Sequence, residues 1–221
     1  MTQPDGTRPA DASRHTTVAV PVRAIEGAKS RLGEVLDAEE RRDLVERLLR
    51  RTIVAALATE GVGEVIVVSA DPEVLDVAAE EGARPLPQRS RGLNLAFQEA
   101  REAAGGDRLL LLPGDLPSVT PEAIGRVLAA GDAAGTPSVV LVPDRHRRGT
   151  NALLLDPPGA IDPAFGGHSR AGHAWLAESA DVPFVELDGV LELDLDTPDD
   201  LLLAEAARAR GRASTEGAGA G

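Results

Sequence analysis

RLLLLPGDLP, residues 108–117, is the most informative run in the chain. Its leucines are continuous rather than alternating, which is typical of a strand buried on both faces of a sheet. We predict that the strand ends in a loop at Pro113, which places Asp115 just beyond its carboxyl end. A carboxylate at that point, flanked by glycine and prolines, could bind a hard cation. It could equally be a turn-forming aspartate.

Further apolar runs on either side of this strand alternate with helical patterns. The runs predicted as strands are TVAVPV (17–22), EVIVVSA (64–70), a short piece at 83–86, SVVLVPD (138–144), NALLLD (151–156), FVEL (184–187) and ELDLD (192–196). Helices are predicted from about Ala38, after Asp71, over Leu93–Ala104, after Thr120, over Ser169–Glu178 and after Thr197. Such alternation indicates a single-domain α/β fold, a mostly parallel sheet with helices on both faces. Ligands bind such sheets at the carboxyl ends of the strands.

The fold is expected to occupy residues 16–210, between polar tails at 1–15 and 211–221 that are predicted to be disordered. The chain has 221 residues, of which 43% are hydrophobic, and this is enough for a sizeable core. A net charge of −13 argues against binding to nucleic acid or to an anionic membrane, but leaves room for a small anionic substrate. The absence of cysteine excludes thiolate chemistry. With neither a signal peptide nor a membrane span visible, we expect a cytoplasmic protein.

Lys29 is the only lysine among 23 basic residues. In so arginine-rich a chain, a single lysine is a candidate for a role that a guanidinium cannot fill, although it could also stand there by chance. Together with Arg23 and Arg31, it follows the first predicted strand. The three cations could hold a triphosphate, or they could form an ordinary solvated turn.

Acidic residues near the carboxyl end of the chain form a second candidate group. Asp194 and Asp196 alternate with leucines, so a strand would bury the leucines and direct both acids to the other face. The two acids could converge on a metal, or they could be exposed decoration. Asp199 and Asp200 have a simpler explanation, because they lie in the first turn of the predicted last helix.

Small polar residues near two glycine turns could bind an anion. Thr150 opens a strand, and Ser169 follows Gly166 and Gly167 at the start of a helix, where backbone N–H groups are available. A helix cap would explain Ser169 equally well. His168 and His173 could act as bases, but histidines near helices are more often structural. The Gly92-Leu93-Asn94 segment is either a helix start or a close backbone approach to a nucleobase.

Seven segments together resemble the 2-phospho-L-lactate guanylyltransferase family, which includes phosphoenolpyruvate guanylyltransferases of deazaflavin coenzyme (factor 420) biosynthesis. They are VPVR…AKSRL (20–32), VVSAD (67–71), RGLN (91–94), PGDLP (113–117), GTNALLL (149–155), FGGHS (165–169) and DLDTPDDL (194–201). The resemblance implies a Rossmann-like nucleotidyltransferase domain that transfers GMP from GTP to a small phosphorylated acid and releases pyrophosphate. Phosphoenolpyruvate is the expected acceptor, because the arginine- and alanine-rich composition fits an actinobacterial source, and 2-phospho-L-lactate is the runner-up.

The resemblance also implies roles for individual residues. Asp115, Asp194 and Asp196 fall on the positions that bind Mg²⁺, and Lys29 and Asp115 are the expected catalytic residues. Arg23 stands where a lysine is expected. The acceptor is expected at Thr150, Gly166 and Ser169, and GTP at Pro21, Arg23, Lys29, Arg31, Gly92 and Asn94.

Two other functions are compatible with these residues. A sister nucleotidyltransferase acting on a molybdopterin or cobinamide phosphate would share the aspartates but need a wider acceptor pocket. A non-catalytic nucleotide-binding regulatory domain is the second alternative, against which the acidic set and Lys29 argue. A homodimer is compatible with the sequence.

Overall fold

The computed structural model describes residues 15–23, 29–195 and 197–204. The strands are β1 (Thr16–Pro21), β2 (Val62–Ser69), β3 (Arg84–Pro87), β4 (Arg108–Leu111), β5 (Ser138–Pro143), β6 (Thr150–Asp156) and β7 (Phe184–Glu186). The helices are α1 (Ala38–Leu57), α2 (Pro72–Glu80), α3 (Leu93–Ala103), α4 (Pro121–Ala134), α5 (Ser169–Ser179) and α6 (198–204), with a 3₁₀ turn at Ser30–Leu32. Apart from residue 15, the two predicted disordered tails lie outside the described residues.

All seven strands form one sheet in the order β3-β2-β1-β4-β6-β5-β7. Parallel pairing joins β3 to β2, β2 to β1, β1 to β4 and β5 to β7, whereas β6 runs antiparallel to both β4 and β5. The sheet is therefore mostly parallel, as the sequence predicts. The carboxyl ends of the parallel strands lie along one edge, which we call the carboxyl edge, and β6 begins at that same edge.

Helices cover both faces of the sheet, and the alternation within each strand explains this. On β1, Val18 and Val20 point into a core formed with α1, α2 and α4. Ala19, between them, points to the opposite core, which contains Phe97 of α3 and Ala177 of α5. The continuous apolar runs of the strands are thus buried on both sides, as in other sheets covered on two faces.

The helix starts follow local capping chemistry, at the positions where the sequence predicts helices to begin. Asp71 and Thr120 each accept a hydrogen bond from a backbone N–H in the first turn, and a proline follows each of them at the start of the helix. Asp37 forms a full capping box with Glu40 at the start of α1. Asp200 does the same for Thr197 at α6, where its carboxylate accepts from the backbone N–H and the hydroxyl of Thr197.

The predicted strand ELDLD is not formed by its described residues. Residues 192–195 belong to neither a strand nor a helix, and Leu191 has a left-handed φ of 51°. The predicted burial nevertheless holds, because Leu191 and Leu195 are 3% and 1% exposed. Each packs into its own cluster, Leu191 into the core under α1 and α4 and Leu195 beside Leu32. The segment is therefore anchored by side chains rather than by strand pairing. Within the described residues, no helix is both long and apolar enough to cross a membrane.

Candidate active site

Asp115 is held at the carboxyl edge by close packing on both sides. After β4, the backbone N–H of Leu112 donates to the carbonyl of Ala19 with a distance of 2.9 Å, which keeps the chain beside β1. Gly114 then passes so close to the end of β1 that a Cβ there would lie 3.3 Å from Cγ1 of Val20 and 3.1 Å from Cγ2 of Val22, which follows the strand. Leu116 is fully buried on the other side of the aspartate. The Asp115 carboxylate consequently has a fixed position and remains 32% exposed.

Lys29 and Asp115, far apart in sequence, form an ion pair in the fold. The Nζ–Oδ2 distance is 2.5 Å, and the lysine side chain is only 9% exposed. Lys29 has a left-handed φ of 54°, and its carbonyl accepts from the N–H of Leu32, a fully buried residue. A buried ammonium needs such a partner, because desolvation of an unpaired charge is costly. The structure thus brings together the two residues expected to be catalytic.

The segment that carries Asp194 is tied to the same edge from two sides. The Asn151 side-chain amide donates to the carbonyl of Leu191 at 2.8 Å, and the N–H of Arg145 donates to the carbonyl of Glu192 at 2.9 Å. These contacts link the segment to the start of β6 and to the turn that follows β5. Asp194 is half-buried there, whereas Asp196 lies outside the described residues.

A magnesium site at these aspartates remains a prediction. The described residues contain no cluster of three or more acidic or histidine side chains suited to a metal, and Asp196 is not among those residues. The chemistry of the donors does fit a hard cation, because Asp115 and Asp194 supply carboxylate oxygens from two loops of one edge. Lys29 beside Asp115 adds a compact positive charge.

Three polar side chains at the start of β6, the neighbour of β4 in the sheet, form a buried chain of hydrogen bonds. The Ser169 hydroxyl lies 3.0 Å from Oγ1 of Thr150, and that oxygen lies 3.1 Å from Nδ1 of His173. The other ring nitrogen, Nε2, accepts from the backbone N–H of Ala164 at 2.8 Å. Burial lowers the pKa of His173 to about 4, so the ring is neutral near pH 7. This histidine therefore supports the predicted acceptor residues and does not serve as an exposed base.

The loop before α5 supplies backbone groups next to these hydroxyls. Gly166, Gly167 and His168 are exposed, and no side chain caps the helix at His168. The N–H groups of Ser169 and Arg170 already donate to the carbonyls of Gly166 and Arg148, at 3.1 and 3.2 Å. The helix start therefore offers an anion its positive dipole end and the exposed backbone of the glycine loop. The guanidinium of Arg170 is already bound to Glu186 in a bidentate pair, with distances of 2.7 and 3.2 Å. Arg148, whose carbonyl accepts from the N–H of Arg170, keeps its own guanidinium exposed beside the loop.

The predicted base-recognition loop is organised by Glu99. Its buried carboxylate accepts the backbone N–H groups of Arg89 and Ser90 at 2.9 and 2.8 Å. Burial alone would raise the pKa of Glu99, but these hydrogen bonds outweigh it and the pKa is lowered. The loop then reaches Gly92, whose φ of 115° strongly favours glycine. Nothing lies within 4 Å of the Cβ position there, so the backbone is open to an approaching ligand.

Asn94 has a partner within the protein, which the sequence does not reveal. Its amide nitrogen donates to the carbonyl of Phe165 at 3.0 Å, and its oxygen accepts from the N–H of the same residue at 2.7 Å. The Phe165 ring in turn packs on Phe97 and meets the edge of His173, with centroid distances of 4.5 and 5.0 Å. Asn94 thus clamps the start of α3 to the loop before α5. Its predicted contact with the nucleotide remains a prediction.

The described arginines divide into two groups by their partners. Most form ion pairs with carboxylates or donate to backbone carbonyls, as Arg50 does with Glu46, Glu80 and Glu81. Arg23, Arg31, Arg91 and Arg148 form no ion pair with a described residue, and all four are exposed. All four lie in connections at the carboxyl edge: after β1, before α3 and before β6. Pro21, also expected to contact the nucleotide, is the buried last residue of β1.

The chain is similar to known proteins over most of its length. Residues 16–206 match the family described as "Guanylyl transferase CofC like". A phosphoenolpyruvate guanylyltransferase of Sphaerobacter thermophilus is 46% identical over 192 residues, which cover 84% of this chain and 91% of that protein. A 2-phospho-L-lactate guanylyltransferase of Methanocaldococcus vulcanius is 32% identical over 186 residues, covering 83% and 81%. Among solved structures, a nucleotidyl transferase from Methanothermobacter has a TM-score of 0.65 at 18% identity, covering 90% and 99%.

The solved structure supports the fold alone, whereas the sequence match spans the whole described domain. The segments that carry Lys29, Asp115, Thr150, Ser169 and Asp194 all lie inside the matched residues. This chain belongs to the CofC-like guanylyl transferase family.

Proposed function

We propose that this protein transfers GMP from GTP to phosphoenolpyruvate and releases pyrophosphate, as a cytoplasmic step of deazaflavin coenzyme biosynthesis. Family membership supports guanylyl transfer. The choice of acceptor is supported by the 46% identical relative, which is named a phosphoenolpyruvate guanylyltransferase, whereas the relative named for 2-phospho-L-lactate is 32% identical. 2-Phospho-L-lactate is the runner-up.

One structural observation carries the proposal: among the described arginines, the four that neither pair with a carboxylate nor donate to a backbone carbonyl, Arg23, Arg31, Arg91 and Arg148, lie in connections at the carboxyl edge. The chain has 36 acidic and 23 basic residues, so carboxylates are abundant. Most of the described arginines form an ion pair with one of them. Guanidinium groups left unpaired at one edge create a local positive field in an otherwise negative protein. That field suits two phosphorylated substrates, which must approach each other despite their charges.

Two groups of residues at this edge suit the two substrates. Arg23, Arg31 and Lys29 follow β1 and would face the triphosphate. Thr150 and Ser169, with the exposed backbone at Gly166, would hold the acceptor through hydroxyl and N–H donors. The acceptor pairs a phosphate with a neighbouring carboxylate, which such a donor-rich pocket can hold.

The reaction requires positioning and charge neutralisation more than proton transfer. A phosphate oxygen of the acceptor attacks the α-phosphorus of GTP, the bond from that phosphorus to the bridging β-phosphate oxygen breaks, and pyrophosphate leaves. The attacking phosphate is already ionised near neutral pH, so no general base is needed. Magnesium held by Asp115, Asp194 and Asp196 would supply Lewis-acid stabilisation of the developing charge. Lys29 would add a fixed charge that needs no reorganisation during the reaction.

A pyrophosphate-release assay with GTP, magnesium and a panel of acceptors tests the proposal. We expect turnover with phosphoenolpyruvate, a lower kcat/KM with 2-phospho-L-lactate, and none with 3-phosphoglycerate. The product should be confirmed by mass as GMP joined to the acceptor through a diphosphate. Turnover only with a molybdopterin or cobinamide phosphate would refute phosphoenolpyruvate as the acceptor. GTP binding without turnover with any acceptor would refute the assignment of the protein as an enzyme.

A further inference from the structure

The buried chain of Ala164, His173, Thr150 and Ser169 has a direction that geometry alone determines. A backbone N–H can only donate, so the bond from Ala164 requires Nε2 of His173 to be the unprotonated nitrogen. The ring is fully buried, and its lowered pKa of about 4 keeps it neutral. A neutral ring carries one proton, which must then be on Nδ1. Nδ1 therefore donates to Oγ1 of Thr150, 3.1 Å away.

This direction decides how many protons the two hydroxyls can offer outward. Thr150 and Ser169 carry one hydroxyl proton each, and the 3.0 Å bond between them uses one of the two. Because the histidine is a donor, it takes neither, and one proton is left over. If the histidine instead carried its proton on Nε2, the Thr150 proton would be drawn to Nδ1 and Ser169 would donate to Thr150. No hydroxyl proton would then remain.

The remaining proton has no acceptor inside the described part of the protein. Within the described residues, the two hydroxyls form hydrogen bonds with each other and with the histidine, and neither side chain has a further one. Thr150 and Ser169 are 7% and 3% exposed and lie next to the exposed Gly166–His168 loop. A buried hydroxyl donor without a partner is costly, so a ligand oxygen placed there would gain a strong hydrogen bond.

We propose that His173 is a positioning residue that keeps the Thr150–Ser169 pair a donor of one hydrogen bond to an anionic oxygen of the acceptor substrate. This inference rests on the proposed function, which places the acceptor at the pair. His173 does not touch the reacting atoms and acts through Thr150. Its ring is held for this role by the edge contact with Phe165, and Phe165 is clamped by Asn94.

The tautomer can be read directly in the unmodified protein. Long-range ¹H–¹⁵N NMR of ¹⁵N-histidine-labelled protein at pH 7 distinguishes protonated from unprotonated ring nitrogens. The chain has 4 histidines, and the His173 signal is assigned by its loss in His173→Gln. We expect protonation at Nδ1 with Nε2 bare. Protonation at Nε2, or a cationic ring, would overturn the inference whatever the protein's activity.

Kinetics of two variants test the consequence. In His173→Gln, the amide oxygen can accept from Ala164 while the amide nitrogen donates to Thr150, so we expect the KM for phosphoenolpyruvate to stay within about threefold. His173→Phe keeps the ring volume but leaves the Thr150 hydroxyl unoriented, and that KM should rise about tenfold while the KM for GTP is unchanged. His146→Gln, at an exposed site, is the matched control.

Equal acceptor KM values in the unmodified protein, His173→Gln and His173→Phe would refute the positioning role. Should His173→Phe fail to fold, the tautomer measurement still decides, because the inference requires the ring proton on Nδ1. If the unmodified protein binds or uses no phosphoenolpyruvate or phospholactate, the proposed function fails instead, and the tautomer is still measurable. The two failures are thus distinguishable.

Discussion

Acidification should destabilise this protein through His173. Burial lowers the pKa of the folded imidazole from 6.5 to about 4. Between these values, the unfolded chain binds a proton that the folded protein does not, so lowering the pH favours unfolding. The contribution of the neutral His173 ring to the free energy of unfolding is fully present above pH 6.5 and is lost progressively as the pH falls towards 4. A shift of this size corresponds to about 3 kcal/mol over the whole window, and to about 2 kcal/mol at pH 5.

Comparison with His173→Gln isolates this contribution from those of the carboxylates. Urea unfolding, followed by circular dichroism, would be measured for both proteins at pH 7.5, 6, 5 and 4.5. The free energy of unfolding should fall more steeply for the native protein, and the difference between the two should change by about 2 kcal/mol between pH 7.5 and pH 5. The exposed histidines are present in both proteins, so their contributions cancel in the difference between the two free energies of unfolding. A difference that stays constant with pH would refute the buried, neutral state of this ring.

Four further predictions concern the carboxyl edge. Asp115→Asn should lower kcat by roughly 100-fold or more while the far-ultraviolet circular dichroism spectrum is unchanged, and near-normal turnover would remove Asp115 from the site. Lys29→Arg should lower kcat at least about tenfold, because a planar guanidinium does not fit a site that is 9% exposed; full activity would show the lysine to be accidental. Gly114→Ala should displace the Asp115 loop, since its Cβ would lie 3.1 Å from Val22, and so lower kcat with only about 1–3 kcal/mol lost from stability by urea unfolding. Arg148→Ala should raise the KM for phosphoenolpyruvate several-fold and the KM for GTP little, whereas Arg126→Ala, on the surface of α4, should change neither.

Much of the fold could be predicted because most of its strands and helices have a clear local sequence pattern. The helix starting at Ala38 and the strand NALLLD are where the sequence indicates, and so is the parallel character of the sheet. The prediction of a strand at ELDLD was wrong, because the alternation of leucine and acidic residues there is also the pattern of a strand buried on one face. A left-handed Leu191 and anchoring by separate leucine clusters satisfy the same pattern without any pairing. Hydrophobic periodicity indicates which side chains are buried. It does not indicate whether the backbone pairs with a neighbouring strand.

The pairing of candidate residues could be anticipated only where topology forces it. Lys29 and Asp115 each follow a strand, and those strands, β1 and β4, are neighbours, so a meeting at one edge is expected. Nothing in the sequence predicts that Asn94 binds the backbone of Phe165, or that His173 lies against Thr150. Those contacts join residues 71 and 23 positions apart and depend on how α3 and α5 pack on one face.

The side chain of Asn94 holds two loops of the candidate site together. The loop expected to contact the nucleotide and the loop expected to hold the acceptor are 71 positions apart in the sequence. Their backbones are nevertheless joined by two hydrogen bonds through one side chain. The Phe165 ring between Phe97 and His173 then carries that connection to the buried hydroxyl pair. For a reaction that depends on bringing two anions into line rather than on proton transfer, a fixed distance between the two binding loops contributes directly to rate.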